Sequence, residues 1–524
     1  MTHKPVILVI LDGYGVNPQV PESTWRYARR PNLEQIEKFF PFTTLQASGA
    51  AVGLPWGEEG NSEVGHLTIG SGRVLYTHLP RIIMSIRDKS FFENQAFQKA
   101  VKHIQKNNSH LHLLGLFSSG SVHAYIDHLY ALLELAKKNE IKESFIHLFT
   151  DGRDAPPQEA AKFLASLEAR LGQEYPSAKI ASVLGRHWAM DRDNHWDLIE
   201  KAYNLLVLAQ GQPFESASLY VEEGYKKNLT DEFIEPGFLT VGGQAIGRIQ
   251  ENDAVIFFNY REDSARELTR AFIQEGFDRF PRKKTANLFF VTMTEYDQAL
   301  PAEVAFKPLD IEHSLAKVIS DAGLKQLHIA ETEKYAHVTY FFNGGKEKPF
   351  GGEERILIPS VPTAHFDQYP EMSVAIISEK IIESLNQYDF ILANFANADM
   401  VGHSGNFEST VKALEALDSA IGRIAPRVLE AGGALVITGD HGNAEEKYYL
   451  SSGEKRTKHT TNPVPFFMVA QKFKARDELK KEDIMKKYGQ TQGTLTDVAP
   501  TVLELLGLKK PALMTGVSLI QKLS

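Results

Sequence analysis

The sequence predicts an α/β protein built on buried parallel strands. Three observations predict it. Short continuous apolar runs recur along the chain, each run ends in a polar cluster, and helical stretches such as "IDHLYALLELAKK" at 126–138 separate them. Apolar runs without alternation suit strands covered on both faces, as in parallel sheets flanked by helices. In such folds the working residues lie just past the carboxyl ends of the strands.

The runs follow one another as the prediction requires. "VILVI" leads to Asp12 and Gly13, "LHLLGLF" to Ser118, and "FIHLFT" to Asp151, Gly152, Arg153 and Asp154. "IASVL" leads to Gly185 and Arg186, and "AVIFF" to Asn259, Tyr260 and Arg261. "FILANFA" precedes Asn397, Ala398 and Asp399, and "ALVITG" precedes Asp440 and His441. Two proline-bearing stretches, "YTHLPR" at 76–81 and "AFKPLD" at 305–310, are candidate hinges. If both are crossings, the middle of the chain is an insertion in a domain made of both ends.

Composition narrows the function. The chain has 524 residues, 43% hydrophobic and 23% charged, enough for two to four domains. Its 57 basic and 66 acidic side chains leave a net charge of −9, so nothing global favours nucleic acid or an anionic membrane. No cysteine is present, which excludes disulfides and thiolate metal sites and leaves Asp, Glu and His as ligands. The apolar run in "MTHKPVILVILDGYG" is too short for a signal peptide and no run is long enough to span a membrane, so a cytoplasmic protein is expected.

Ser62, in "EEGNSEVGHLTIGSG", is by itself compatible with ordinary turn chemistry. The rest of the chain has to supply what would activate its hydroxyl. Asp399 and His403 in "NADMVGHSG" are four apart, on one face of a helical turn. Asp440 and His441 follow a strand in "TGDHGNAEE", and His459 precedes a proline-rich turn in "KHTTNPVPF". Each alone reads equally well as a cap, a turn or a loop residue. Together with Asp12 at another strand end and a nearby hydroxyl, they suit borderline divalent ions such as Mn²⁺ or Zn²⁺ better than Ca²⁺. Two such metals are a recurrent device for phosphoryl displacement.

A second, basic constellation occupies the middle of the chain. It comprises His123, Arg153 with Asp154, Arg186, Arg192 and Arg261. Arginines at strand ends favour multidentate recognition of carboxylate or phosphate; the plainer alternative is a surface ion pair, such as Arg153 with Asp154. In a globally acidic chain the cluster points to a small, multiply anionic substrate.

The segments "GNSEVGH", "DGRD", "GRHWAMDRD", "AETEKYAHVT", "NADMVGH", "DHGNAE" and "HTTNPVPF", in that order over nearly the whole length, resemble the cofactor-independent phosphoglycerate mutases of the alkaline phosphatase superfamily. The resemblance implies an alkaline phosphatase-like, metal-binding domain from residues 1–78 and 309–524, with an inserted α/β phosphotransferase domain, 79–308, that binds the glycerate. It implies two Mn²⁺ ions, one held by Asp12, Ser62, Asp440 and His441 and the other by Asp399, His403 and His459. Ser62 is then the nucleophile that becomes phosphoserine. His123, Arg153, Asp154, Arg186, Arg192, Arg261 and Lys334 surround the substrate, and Asp154 moves the proton of the glycerate hydroxyl. The implied reaction interconverts 3-phosphoglycerate and 2-phosphoglycerate without bisphosphoglycerate, in a monomer whose only partner is a small molecule.

Two alternatives stand beside this reading. A phosphatase or another phosphomutase of the same superfamily would use Ser62 and both metals, but a phosphatase needs no arginine pocket that retains the alcohol. A silent anion-binding protein would need no metal-activated nucleophile. The chain departs from the family pattern at one point: where the family commonly reads Asn-Phe-Arg-Pro-Asp-Arg, it reads Asn259-Tyr260-Arg261-Glu262-Asp263-Ser264. A short hydroxyl at 264 thus replaces a second arginine, and it is expected to bond the substrate phosphate directly or through water.

Overall fold

The computed structural model describes residues 3–20, 22–449 and 451–523. It divides into two compact units, Met1–Thr77 with Leu309–Ser524, and His78–Pro308. His78 therefore falls in the second unit, not the first.

The first segment supplies β1 (Val6–Leu11) and β2 (Phe42–Gln46). Residues 78–308 supply β3 (Leu111–Leu116), β4 (Ser144–Thr150), β5 (Ala178–Gly185), β6 (Gln212–Phe214), β7 (Gly237–Val241), β8 (Gln244–Ala245), β9 (Ala254–Phe257), β10 (Phe289–Thr294) and β11 (Glu303–Phe306). The last segment supplies β12 (Gln326–Glu331), β13 (Glu353–Ile358), β14 (Phe390–Phe395), β15 (Ala434–Thr438), β16 (Val464–Ala470) and β17 (Thr491–Thr494).

In the first unit the strand order is β13-β12-β14-β1-β15-β16-β2-β17. The five strands from β13 to β15 are parallel to their neighbours. β1 shows why its sequence does not alternate. Ile7, Val9 and Leu11 pack into the core on one face, and Val6, Leu8 and Ile10 into the core on the other. Each such side chain stabilises by about 1.5–3 kcal/mol on burial. β16, which is not among the apolar runs read as parallel strands, runs antiparallel to both β15 and β2. The reason is the connection: among the described residues no helix lies between Thr438 and Val464, and without a helical crossover the chain returns antiparallel.

In the second unit the order is β11-β10-β9-β3-β4-β5-β7-β6, with β8 beside β7. The run from β11 to β5 is parallel, and β7 is antiparallel to β5. The predicted helix is present as Ile126–Lys138. Among the described residues no helix is long and apolar enough to cross a membrane.

Several histidines are locked in these cores. His112 on β3 meets His147 on β4, Nδ1 to Nε2 at 2.9 Å, and the chain continues to Asp253 Oδ2 (3.0 Å) and Ser182 Oγ (2.7 Å). Burial pushes His147 well below its ordinary value, and it pushes His128, whose ring nitrogens have no hydrogen-bond partner, to about 3. His328 is pushed by burial to about 4. Below about pH 6.5 the unfolded chain takes up protons that these folded sites refuse, so their contribution is intact above that pH and lost as pH falls. Each withdraws about 1.4 kcal/mol per pH unit. Urea midpoints measured between pH 7.5 and 5 should therefore fall less steeply in His128→Leu than in the wild type. Parallel slopes would contradict this.

Candidate active site

The adjacent parallel strands β12, β14, β1 and β15 deliver four charged groups past their carboxyl ends. Asp12 directly follows β1, Asp440 lies two residues past β15, and Asp399 is in the helix Asn397–Gly402 after β14. Lys334 closes the turn Thr332–Lys334 that follows β12. Gly13 makes the crowding possible: its φ is +72°, and a Cβ there would lie 2.7 Å from Asp399 Cα. Ser62 is the first residue of the helix Ser62–Ser71, which is capped by Asn61 Oδ1 accepting from Val64 N at 2.9 Å. A helix N-terminus favours negative charge, which a phosphorylated Ser62 would carry.

The Ser62 hydroxyl lies at the centre of this cluster. Its Oγ is 2.7 Å from Lys334 Nζ, 3.0 Å from His441 Nε2 and 3.1 Å from Asp12 Oδ1. Lys334 Nζ also donates to Asp12 Oδ1 (2.7 Å) and Asp399 Oδ2 (2.6 Å). Lys334, expected beside the substrate, thus has its ammonium on the Ser62 hydroxyl and two carboxylates.

The second expected set is also convergent. Asp399 Oδ1 is 3.2 Å from His403 Nε2 and 3.3 Å from His459 Nε2, and the two Nε2 atoms are 3.1 Å apart. Backbone carbonyls fix both rings: Nδ1 of His403 donates to Thr457 O and Nδ1 of His459 to Gly60 O, each at 2.8 Å. This arrangement leaves the Nε2 lone pairs for a cation.

The electrostatics are those of a cation site. Burial pushes Asp12 and Asp399 up, but the Lys334 ammonium together with the histidine contacts, His441 on Asp12 and His403 and His459 on Asp399, outweighs it and both lie well below the ordinary carboxylate range. Burial would push His441 down, yet Asp440, Asp12 and Asp399 raise it to about 9. Asp440 Oδ2 is buried without a hydrogen-bond partner. The cluster thus gathers positive charge from its own side chains, and its O and N donors suit a borderline divalent ion.

Among the described residues, three combinations of acidic and histidine side chains bring their ligand atoms within 4.8 Å: Asp399, His403 and His459; Asp12, Asp399 and His441; and Asp12, His66 and Asp440. His66 was missed, although it lies inside "GNSEVGH". Its Nδ1 is 2.8 Å from Ser62 O and 3.2 Å from Asp440 Oδ2. The signal was its i, i+4 spacing from Ser62, legible once Ser62 is known to begin a helix.

In the second unit, His123, Arg153, Asp154, Arg186, Arg192, Arg261 and Ser264 line one cavity of about 290 Å³. Buried Arg186 donates to Asp151 Oδ1 and Asp154 Oδ2 through NH1 and to His123 Nε2 through NH2. Burial and the Arg186 charge push His123 to about 4, so its ring is neutral, and Nδ1 has no hydrogen-bond partner. Asp263 Oδ2 accepts from both Arg192 NH1 (2.9 Å) and Arg261 Nε (3.0 Å). Arg153 pairs with Glu232, not with Asp154 as the surface-pair alternative supposed. Arg266 turns away to Tyr296 O and does not stand in for an arginine at 264.

Residues 82–298 match the family described as BPG-independent PGAM N-terminus (iPGM_N). The chain is 48% identical to a 2,3-bisphosphoglycerate-independent phosphoglycerate mutase of Clostridium botulinum, over 99% of this chain and 100% of the relative. It is 46% identical to one from Moorella thermoacetica, over 99% of both. Among solved structures, a phosphoglycerate mutase of Leishmania mexicana, determined at low cobalt concentration, superposes with a TM-score of 0.57 at 29% identity, covering 99% of this chain and 98% of that one. The residues matched by this family model fall within the unit His78–Pro308, whose sheet is separate from that of the other unit. The chain belongs to the family of 2,3-bisphosphoglycerate-independent phosphoglycerate mutases.

Proposed function

We propose that the chain interconverts 3-phosphoglycerate and 2-phosphoglycerate through a phosphoserine at Ser62, as a cytoplasmic monomer that needs no bisphosphoglycerate. The observation that carries the reading is Ser62 Oγ at 2.7 Å from the Lys334 ammonium and within 3.1 Å of His441 and Asp12 at a helix N-terminus. Asp12, Ser62, Asp440 and His441 would hold one Mn²⁺, and Asp399, His403 and His459 the other. When bound, the two cations would favour ionisation of the Ser62 hydroxyl and offset charge on the phosphoryl oxygens.

The chain's own groups do the rest. Ser62 Oγ attacks phosphorus, the bond from phosphorus to the glycerate oxygen breaks, and Lys334 stabilises the developing charge. The arginines and His123 hold the glycerate carboxylate, which competes with Asp263 for Arg192 and Arg261. One proton must reach the oxygen that loses the phosphoryl group, and one must leave the oxygen that gains it. Asp154, on Arg186, carries that proton, so the count over a cycle is zero.

The test is ³¹P NMR of the purified protein with 3-phosphoglycerate and Mn²⁺, without bisphosphoglycerate. A growing 2-phosphoglycerate resonance that chelator abolishes is expected. Inorganic phosphate alone would indicate a phosphatase, and an unchanged spectrum an inert binder; either would overturn the proposal.

A further inference from the structure

Asp399 has the most demanding position in the cluster. Its Oδ1 faces His403 and His459, its Oδ2 accepts from Lys334, and its helix, Asn397–Gly402, is six residues long. The carboxylate plane is held by a group outside both expected cation sets: Asn443 Nδ2 donates to Asp399 Oδ1 at 2.8 Å and to Asp399 O at 3.2 Å.

A primary amide can present either its NH₂ or its oxygen. Which end faces Asp399 is decided on the far side, where Lys447 Nζ donates to Asn443 Oδ1 at 2.7 Å and to Gly402 O at 2.8 Å. An ammonium donates and never accepts, so the amide oxygen must turn to Lys447 and the NH₂ to Asp399. The space is fitted to this arrangement: a Cβ on Gly402 would lie 2.8 Å from Asn443 Oδ1. Asn443 and Lys447 are 0% and 1% exposed. An ammonium buried against neutral oxygens is unfavourable for folding, and burial lowers Lys447 to about 8.

We propose that Lys447, acting through Asn443, is a positioning residue that orients Asp399 for a cation at Asp399, His403 and His459. The proposal rests on the two-cation reading. Lys447→Met removes the donors and keeps the length, leaving the amide free to turn its oxygen towards Asp399. Asn443→Ala removes the link itself.

The experiment titrates metal-free protein with Mn²⁺ and reads the free ion by EPR. The wild type should take up two ions. In Lys447→Met one should bind about 10- to 100-fold more weakly, the usual penalty for losing an outer hydrogen-bond partner, and the other should be little changed. Asn443→Ala should weaken the same ion, and the double variant should lose no more than the larger single loss. Unchanged binding of both ions in either folded variant, or additive losses in the double variant, would overturn the proposal. A wild type that binds no Mn²⁺ would instead overturn the two-cation reading, and this inference with it.

Discussion

Replacing Ser62 by alanine should abolish isomerisation, by roughly 10⁴- to 10⁶-fold, while the protein stays folded. The expected loss is large because, among the described residues, the Ser62 hydroxyl is the one in contact with Lys334, His441 and Asp12, and the proposed transfer runs through it. The fold should survive for a local reason. The helix Ser62–Ser71 is capped by Asn61, and Lys334 keeps its bonds to Asp12 and Asp399 when the hydroxyl is gone. Six of the seven proposed metal ligands also remain. The check is the ³¹P NMR assay beside a urea melt and metal analysis. Substantial mutase activity in the purified variant would falsify the assignment of Ser62.

Lys334→Met should have the second large effect, and it should depend on metal. Lys334 is buried between two carboxylates, with Asp440 near, and removing one partner from such a group costs about 3–5 kcal/mol by leaving uncompensated charge. The metal-free variant should unfold at clearly lower urea than the metal-free wild type at pH 7.5. Saturating Mn²⁺ should close much of the gap, because the cations take over the compensation. Acid should narrow it as well. The depressed carboxylates contribute stability above their unfolded pKa and lose it as pH falls through the folded values, and without Lys334 that depression is largely gone. An equal loss with and without metal would show that Lys334 serves packing alone.

Much of the parallel core was legible because β1, β3, β4, β9, β14 and β15 are short apolar runs with polar ends. The antiparallel side was not. β16 begins inside "NPVPF", whose prolines read as a turn, and β2, "FTTLQ", carries no strong pattern; β16 pairs on the edge of β15, and β2 in turn on β16. At the candidate site, motifs supplied the residues but not the pairings. Arg153 to Glu232 and Arg192 to Asp263 join groups more than 70 residues apart, which no local spacing encodes. Asn443 and Lys447 are four apart outside any helix, so the periodicity that would have exposed His66 could not expose them.

The placement of β1 governs how the chain must be made. Its neighbours β14 and β15 begin at Phe390 and Ala434, roughly 380 and 430 residues later. At a synthesis rate of about 5–20 residues per second, the six apolar residues of β1 wait on the order of 20–90 seconds for the strands that pair with them. The unit His78–Pro308 is encoded without interruption and can close its sheet in the meantime. The nascent chain can therefore carry a folded insert while β1 is still unpaired, and Asp12, Ser62 and Asp440 come together only after β14 and β15 have been made.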